Sequence, residues 1–255
     1  MFKKLFLFTF LMFFCVSGVN ANIISQKFDI EVGVFDAGMV EINYNAEKNK
    51  YDVSAELKTA NFFGNIYPFE ARYEAQGIKQ KNELVPVVYK NRTKTRNHVR
   101  LKEILYNKKG MAYKRISTKD DKRKEVDIKD VPDSADAADL QNVIAELIYQ
   151  FDKNRSCKLE REVFDGKKHY KVIVDDQGQE NRVFDFDGKV RNSYKCSMYI
   201  KNLKENNDNI LWDVSAERPI NIWIDINKET QMPNILEIRI DSTPLGGIKV
   251  KPIKD

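Results

Sequence analysis

The sequence predicts a mainly β protein, a single domain of antiparallel sheet with one amphipathic helix at about residues 136–152. Three observations predict it. Apolar and polar residues alternate with a period of two through most of the chain. Gly, Asn and Asp pairs punctuate the alternating segments. Only one stretch carries the 3.6-residue period of a helix.

The elements follow in order. Phe28, Ile30, Val32 and Val34 form one face of a first strand, opposite Asp29 and Glu31. A turn at Asp36-Ala37-Gly38 then leads into Val40, Ile42 and Tyr44. Tyr51, Val53, Ala55 and Leu57 alternate with Asp52, Ser54, Glu56 and Lys58, and Phe69, Ala71, Tyr73 and Ala75 with Glu70, Arg72, Glu74 and Gln76. One dry face and one wet face is the pattern of antiparallel sheet. Turns are expected at Asn49-Lys50, Lys109-Gly110, Asp165-Gly166, Asp187-Gly188 and Gly246-Gly247. Pro86 lacks an N–H to give a ladder, so its segment is an edge strand or a bulged one. The charged run Lys119 to Lys124 reads as a solvated hairpin tip or loop.

The helix is carried by Leu140, Val143, Ile144, Leu147, Ile148 and Phe151, with Asp136 or Asp139 to cap it. Its stripe should cover an open end or face of the sheet. Towards the C-terminus, Ile220, Ile222, Ile224 and Ile226 form an aliphatic row, followed by Leu236, Ile238 and Ile240, then Ile248 and Val250. No repeat or Pro-rich linker divides the chain, so one domain is expected from about residue 22 to 255.

At the N-terminus, Lys3 and Lys4 precede an apolar run from Leu5 to Val16, and Val19-Asn20-Ala21 ends in small residues. That pattern predicts an export signal cleaved after Ala21, and the run is too short to span a hydrocarbon layer of ~30 Å. No second long apolar stretch follows, so the mature chain is expected to be exported and soluble. Cleavage takes away Lys3 and Lys4, lowering the net charge from +5 to +3, and also Cys15. Cys157 and Cys196 remain, and an even pair in an oxidising compartment is expected to be bridged.

Chemistry is scarce. The 42% hydrophobic content is that of a globular chain, which excludes wholesale disorder and a polytopic membrane protein. Two histidines, His98 and His169, stand without a motif partner and read as surface residues. No nucleophile elbow, His-Glu-x-x-His pair, phosphate loop or Cys-x-x-Cys is present. Asp120-Asp121, Asp175-Asp176 and the Asp185, Asp187 pair sit in turn-like, polar contexts. No catalytic residue, cofactor or metal site is therefore expected.

Two clusters are candidates for binding. Lys90, Arg92, Lys94, Arg96 and Arg100 form a basic run beside Tyr89, suited to an anionic lipid or lipopolysaccharide surface, or else a plain solvated face. Nucleic acid is not expected outside the cytoplasm. Phe62-Phe63-Gly64-Asn65-Ile66-Tyr67-Pro68-Phe69 is too apolar for an ordinary loop. It either plugs the core or, through Phe62, Phe63, Tyr67 and Phe69, lines the mouth of a cavity for an apolar ligand.

With these residues in view, the chain resembles the exported bacterial domain of unknown function 3108. The similarity rests on Phe35-Asp36-Ala37-Gly38, on Tyr67-Pro68-Phe69 followed by Arg72-Tyr73-Glu74 and Gly77, and on Asp139 at the helix start. It also rests on Val163-Phe164-Asp165-Gly166-Lys167 with Tyr170, and on Trp223 before the last hairpin. The resemblance implies a β-rich roll or barrel-like fold in the periplasm with no assigned catalytic activity. Asn142 departs from it, standing where a small hydroxyl residue is expected. The resemblance does not require the two cysteines. Together these readings predict a non-enzymatic envelope protein that binds a lipid, a glycan or an envelope protein. The alternatives are an interaction scaffold using an edge strand or the basic run, and an enzyme of unfamiliar type.

Overall fold

The structure, a computed structural model, describes residues 22–81, 83–129, 139–164, 168–203, 214–241, 243 and 246–253. The export signal read at residues 1–21, the Asp136 cap and the Asp165-Gly166 turn lie outside the described residues.

Among the described residues, fourteen antiparallel strands form one sheet, in the order β8-β7-β6-β5-β4-β3-β2-β1-β14-β13-β12-β11-β10-β9. The first half is a meander: β1 (Asn22–Val32), β2 (Phe35–Ala46), β3 (Lys50–Thr59), β4 (Phe69–Gln80), β5 (Glu83–Thr95), β6 (Val99–Tyr106), β7 (Ala112–Lys119) and β8 (Lys122–Asp127). The second half runs back through β9 (Leu159–Phe164), β10 (His169–Val183), β11 (Val190–Asn202), β12 (Ile220–Ile226), β13 (Pro233–Ile240) and β14 (Ile248–Pro252). The two meanders join where β1 pairs with β14, Phe28 opposite Pro252 and Val32 opposite Ile248. A short helix, α1 (Asn61–Ile66), links β3 to β4, and α2 (Leu140–Asn154) links the halves.

The expected alternation is real because one face of nearly every strand looks towards α2. Val143, Leu147 and Phe151 of α2 pack with Leu159, Val172, Val174, Met198, Ile220 and Ile222 in the second half. Ala145 and Ile148 pack with Tyr44, Tyr51, Val53, Ala75, Tyr89 and Ile104 in the first. The sheet therefore curls so that both halves close on one helix, the lid its stripe requires. Asp139 is the cap: its backbone is extended, and its carboxylate accepts from the Asn142 N–H at 3.0 Å. At the other end Arg155 takes the left-handed conformation, φ 53°, and its N–H returns to the Phe151 carbonyl at 2.9 Å.

Local expectations differ at the first turn, while Pro86 and the charged run each take one of the two settings expected of them. The first turn falls at Gly33-Val34 rather than Asp36-Ala37-Gly38, with Gly33 at φ 62°. Val34 is consequently 90% exposed instead of facing inward. Asp36, Ala37 and Gly38 lie inside β2, and the register slips there so that Ala37 has no opposite residue on β1. Gly38 is needed for closeness, since a Cβ there would lie 2.3 Å from the Lys58 carbonyl oxygen. Pro86 sits not on an edge but in β5, between β4 and β6, at a bulge where Gly77 faces Pro86 and Gln76 faces Val88. The Lys119–Lys124 run is a hairpin tip: Asp120 and Asp121 turn with φ 47° and 66°, and Lys122, Arg123 and Lys124 open β8.

Candidate functional site

Between α2 and the sheet lies a partly enclosed cavity of about 230 Å³. Ile144, Leu147, Ile148 and Phe151 of α2 form its roof. Its floor is aliphatic: Ile24, Ile42, Met198, Ile220, Ile222, Ile224, Pro233, Ile235, Ile238 and Ile240, from strands of both halves. Long-side-chain aliphatics at alternate positions produce this floor directly, because each β12 and β13 isoleucine on that face reaches for the same helix.

Among the described residues, Gln26 is the one polar side chain in the lining, and its amide is fully engaged. It stands at a seam. β14 pairs with β1 only as far as Phe28 and with β13 only as far as Ile238, so beyond those points β1 and β13 face each other across a gap. The Gln26 amide fills the gap, accepting from the Ile235 N–H at 2.9 Å and donating to the Ile235 carbonyl at 3.2 Å. It also donates to Asn234 Oδ1 at 2.5 Å. A side-chain amide here does what a strand backbone would do, and it stops polar backbone from opening into a dry space.

At the first turn of α2 a buried polar network ties the helix to the sheet. Tyr106 donates to Asp139 Oδ2 at 2.7 Å, Asn142 Nδ2 donates to the same oxygen at 2.6 Å, and Tyr51 donates to Asn142 Oδ1 at 2.7 Å. Burial pushes the Asp139 carboxyl up from its ordinary value, opposed by the hydrogen bonds from Tyr106 and Asn142. Burial also pushes the Tyr51 and Tyr106 phenols up, with the Asp139 charge adding to both. Asn142 is the member that links β3 to the cap. A small hydroxyl side chain carries no NH2 group and oxygen pair that could serve Asp139 and Tyr51 in this way.

Cys157 and Cys196 are bridged, with Cα atoms 6.0 Å apart. They do not lie on neighbouring strands. Cys157 precedes β9, Cys196 is on β11, and β10 runs between those strands. The bridge passes at the β10 irregularity, where Asp176 faces Cys196. Asp176 accepts there from Ser156 Oγ at 2.6 Å and from the Cys157 N–H at 3.3 Å. Burial works against its charge, but the bonds from Ser156, Gly178 and Cys157 win and hold it below the usual aspartate range.

The basic run does not form one surface. Arg92 falls on the face away from α2, in a cross-strand row with Lys27, Glu41, Glu56 and Arg72 that lines a charged groove of about 510 Å³. Lys94 pairs with Glu70 at 3.6 Å and Lys90 with Glu103 at 3.7 Å, so cross-strand glutamates offset much of the charge. Arg96 lies beyond β5 and donates to the Asn65 carbonyl at 3.0 Å. Arg100 lies opposite Thr93, on the same face as Ile104.

The aromatic segment stands apart from the core and from the cavity under α2. Phe62, Phe63, Tyr67 and Phe69 line no part of the apolar cavity, and α1 buries none of its residues. Both histidines have carboxylate partners that spacing could not reveal: His98 Nδ1 lies 2.8 Å from Asp120, and His169 Nε2 lies 3.2 Å from Glu162. Trp223 belongs to a small core on the outer face with Phe184 and Leu236. Arg182 lies over its ring at 4.1 Å and pairs with the buried Glu237 at 2.9 Å.

Among the described residues, no group of three or more His, Cys, Asp or Glu is placed to hold a metal ion, and no helix is long and apolar enough to cross a membrane. A family model described as a protein of unknown function, DUF3108, matches residues 27–249. The chain belongs to that family. The DUF3108 match takes in every strand except the ends of β1 and β14, as well as the cap network, the disulfide and the cavity lining apart from Ile24 and Gln26. No curated protein matches the chain. It is similar to the crystal structure of a beta-barrel-like protein of domain of unknown function DUF1849 from Brucella abortus. That similarity covers 90% of this chain and 95% of the other at 9% identity, with a TM-score of 0.48, too distant to inform this protein's chemistry.

Proposed function

We propose that this DUF3108 protein is an exported, non-catalytic protein of the periplasm that shelters an apolar chain of fatty-acyl type between α2 and its sheet. The observation that carries the reading is the cavity lining: apolar side chains throughout, with one amide already committed to Ile235 and Asn234. Such a lining offers nothing to the hydroxyls of a glycan, which would be left unpaired at a cost. This favours lipid over glycan. Size narrows the ligand further. At about 230 Å³ the space exceeds the ~150 Å³ apolar cavity known to stay dry and admit benzene. It falls short of the ~300–1,000 Å³ of most ligand pockets, so one hydrocarbon chain fits better than a whole two-chain lipid.

The test is native mass spectrometry and thermal unfolding of the purified chain with decanoic and hexadecanoic acids. A one-to-one adduct and a raised Tm are expected, since ligand at 100 times Kd stabilises by about 2.7 kcal/mol. Ile222→Trp, which fills the floor, should abolish both while leaving the far-UV circular dichroism intact. A clean apo mass with unchanged Tm for the parent chain would sink the proposal.

A further inference from the structure

Exposed apolar residues gather on a rim that contributes nothing to the cavity lining. Phe35 stacks on Phe62 at 5.9 Å, and Phe63 meets both edge-on at 6.4 and 5.8 Å. Tyr67 stacks on Phe69 at 6.3 Å. Phe35, Phe62, Ile66 and Tyr67 are each more than half exposed, at 54%, 57%, 62% and 59%. A contiguous patch of this kind marks a contact surface rather than ordinary scatter.

The rings are held outward by built structure. Thr59 Oγ1 donates to the Tyr67 carbonyl at 3.0 Å and accepts from the Phe69 N–H at 2.9 Å. The Ala60 N–H reaches the Ala37 carbonyl at 3.0 Å, across the close approach that Gly38 permits.

Cations share this end of the sheet with the rings. Arg96 is tied to α1 through Asn65, and Lys58, one residue short of the end of the β3 register, stands opposite Met39. The β5–β6 and β7–β8 turns share the rim: Asp120 N–H bonds the Val99 carbonyl, and Arg100 faces Lys119. Of the nearby acids, Glu70 is taken by Lys94 and Asp120 by His98. Asp36 and Asp121 remain against Lys58, Arg96, Arg100, Lys119 and Lys122, so the balance is positive.

We infer that this rim docks on an anionic bilayer surface, with the rings of Phe35, Phe62 and Tyr67 at the headgroup–acyl boundary and Arg96 and Arg100 on lipid phosphates. Aromatics with flanking basic residues are the composition that such a boundary accepts. A second copy of the chain fits poorly, because a two-fold contact would set these cations against their own equivalents. The inference stands apart from the cavity, and each can fail without the other.

Co-sedimentation of the purified chain with phosphatidylglycerol-rich vesicles, against pure phosphatidylcholine, tests it. The parent chain should bind the anionic vesicles at least about tenfold more strongly, and lose that preference in high salt. Phe62→Ser with Tyr67→Ser should weaken binding about tenfold at unchanged Tm, since both side chains are exposed. Arg96→Glu with Arg100→Glu should remove the anionic preference. Phe62→Trp should show a blue-shifted indole emission on the vesicles. No binding by the parent chain, or binding indifferent to both variant pairs, overturns the inference. So does a dimer in solution that the ring variant dissociates.

Discussion

The side-chain amide of Gln26 pairs with both the N–H and the carbonyl of Ile235, closing the sheet where β14 no longer separates β1 from β13. The pairing gives the first prediction. Gln26→Ala leaves the Ile235 N–H without its partner beside an apolar space. A loss of about 1–3 kcal/mol in urea unfolding is expected, the cost of an unsatisfied backbone group. Gln26→Glu keeps the acceptor but removes the donor to Ile235 and Asn234, and should fall between the two. Equal stability of all three proteins would show that the seam carries no weight.

The cap network gives the second. Tyr106→Phe takes a donor from the buried Asp139, and Tyr51→Phe takes one from Asn142. Each should cost about 1–3 kcal/mol. Because both tyrosines act on one hydrogen-bonded unit, the double variant should depart from additivity by about 0.5–3 kcal/mol. Simple additivity in a double-mutant cycle would separate the two contacts.

Reduction of the Cys157–Cys196 bridge is the third case. It spans 39 residues, and a loop of that length constrains the unfolded chain by about 4 kcal/mol in the chain-entropy view. Cys157→Ser with Cys196→Ser should lower the guanidinium midpoint accordingly. Intact-mass measurement with and without reductant should differ by two protons in the parent chain, and free thiols in an unreduced sample would contradict the pairing.

Acid should act through Asp176. Its carboxyl is held below the ordinary aspartate value in the folded chain, so its contribution is full above the unfolded value of about 3.9 and fades as pH falls through the lower folded one. Asp176→Asn should therefore be less stable than the parent at neutral pH, with the gap closing below about pH 4. A gap that is constant with pH would remove the charge from the account.

Much of the fold was legible because a single physical cause, burial of one strand face against α2, writes a two-residue period into the sequence. Phe28, Tyr44, Val53 and Ala75 could be placed on that face from alternation alone, and all four are buried. Local pattern failed where partners come from afar. Nothing near Gln26 announces Ile235, and nothing near His98 announces Asp120. The basic run looked continuous because Arg92, Lys94, Arg96 and Arg100 are close in sequence. The pleat and the β5–β6 turn send Arg92 and Arg100 to opposite faces. The α1 aromatics read as greasy in either setting, since composition gives apolarity and not the side of the sheet on which it stands.

The pairing of β1 with β14 sets an order of events for a chain made from its N-terminus. β1, made early, waits at the middle of the sheet for β14, and the phenols of Tyr51 and Tyr106 wait for a helix that comes only after β8. No early-built fragment can be finished by itself. Such long-range closure makes folding slow and leaves a half-sheet exposed meanwhile. Loss of β14 would accordingly divide the protein at its centre instead of fraying it at a border.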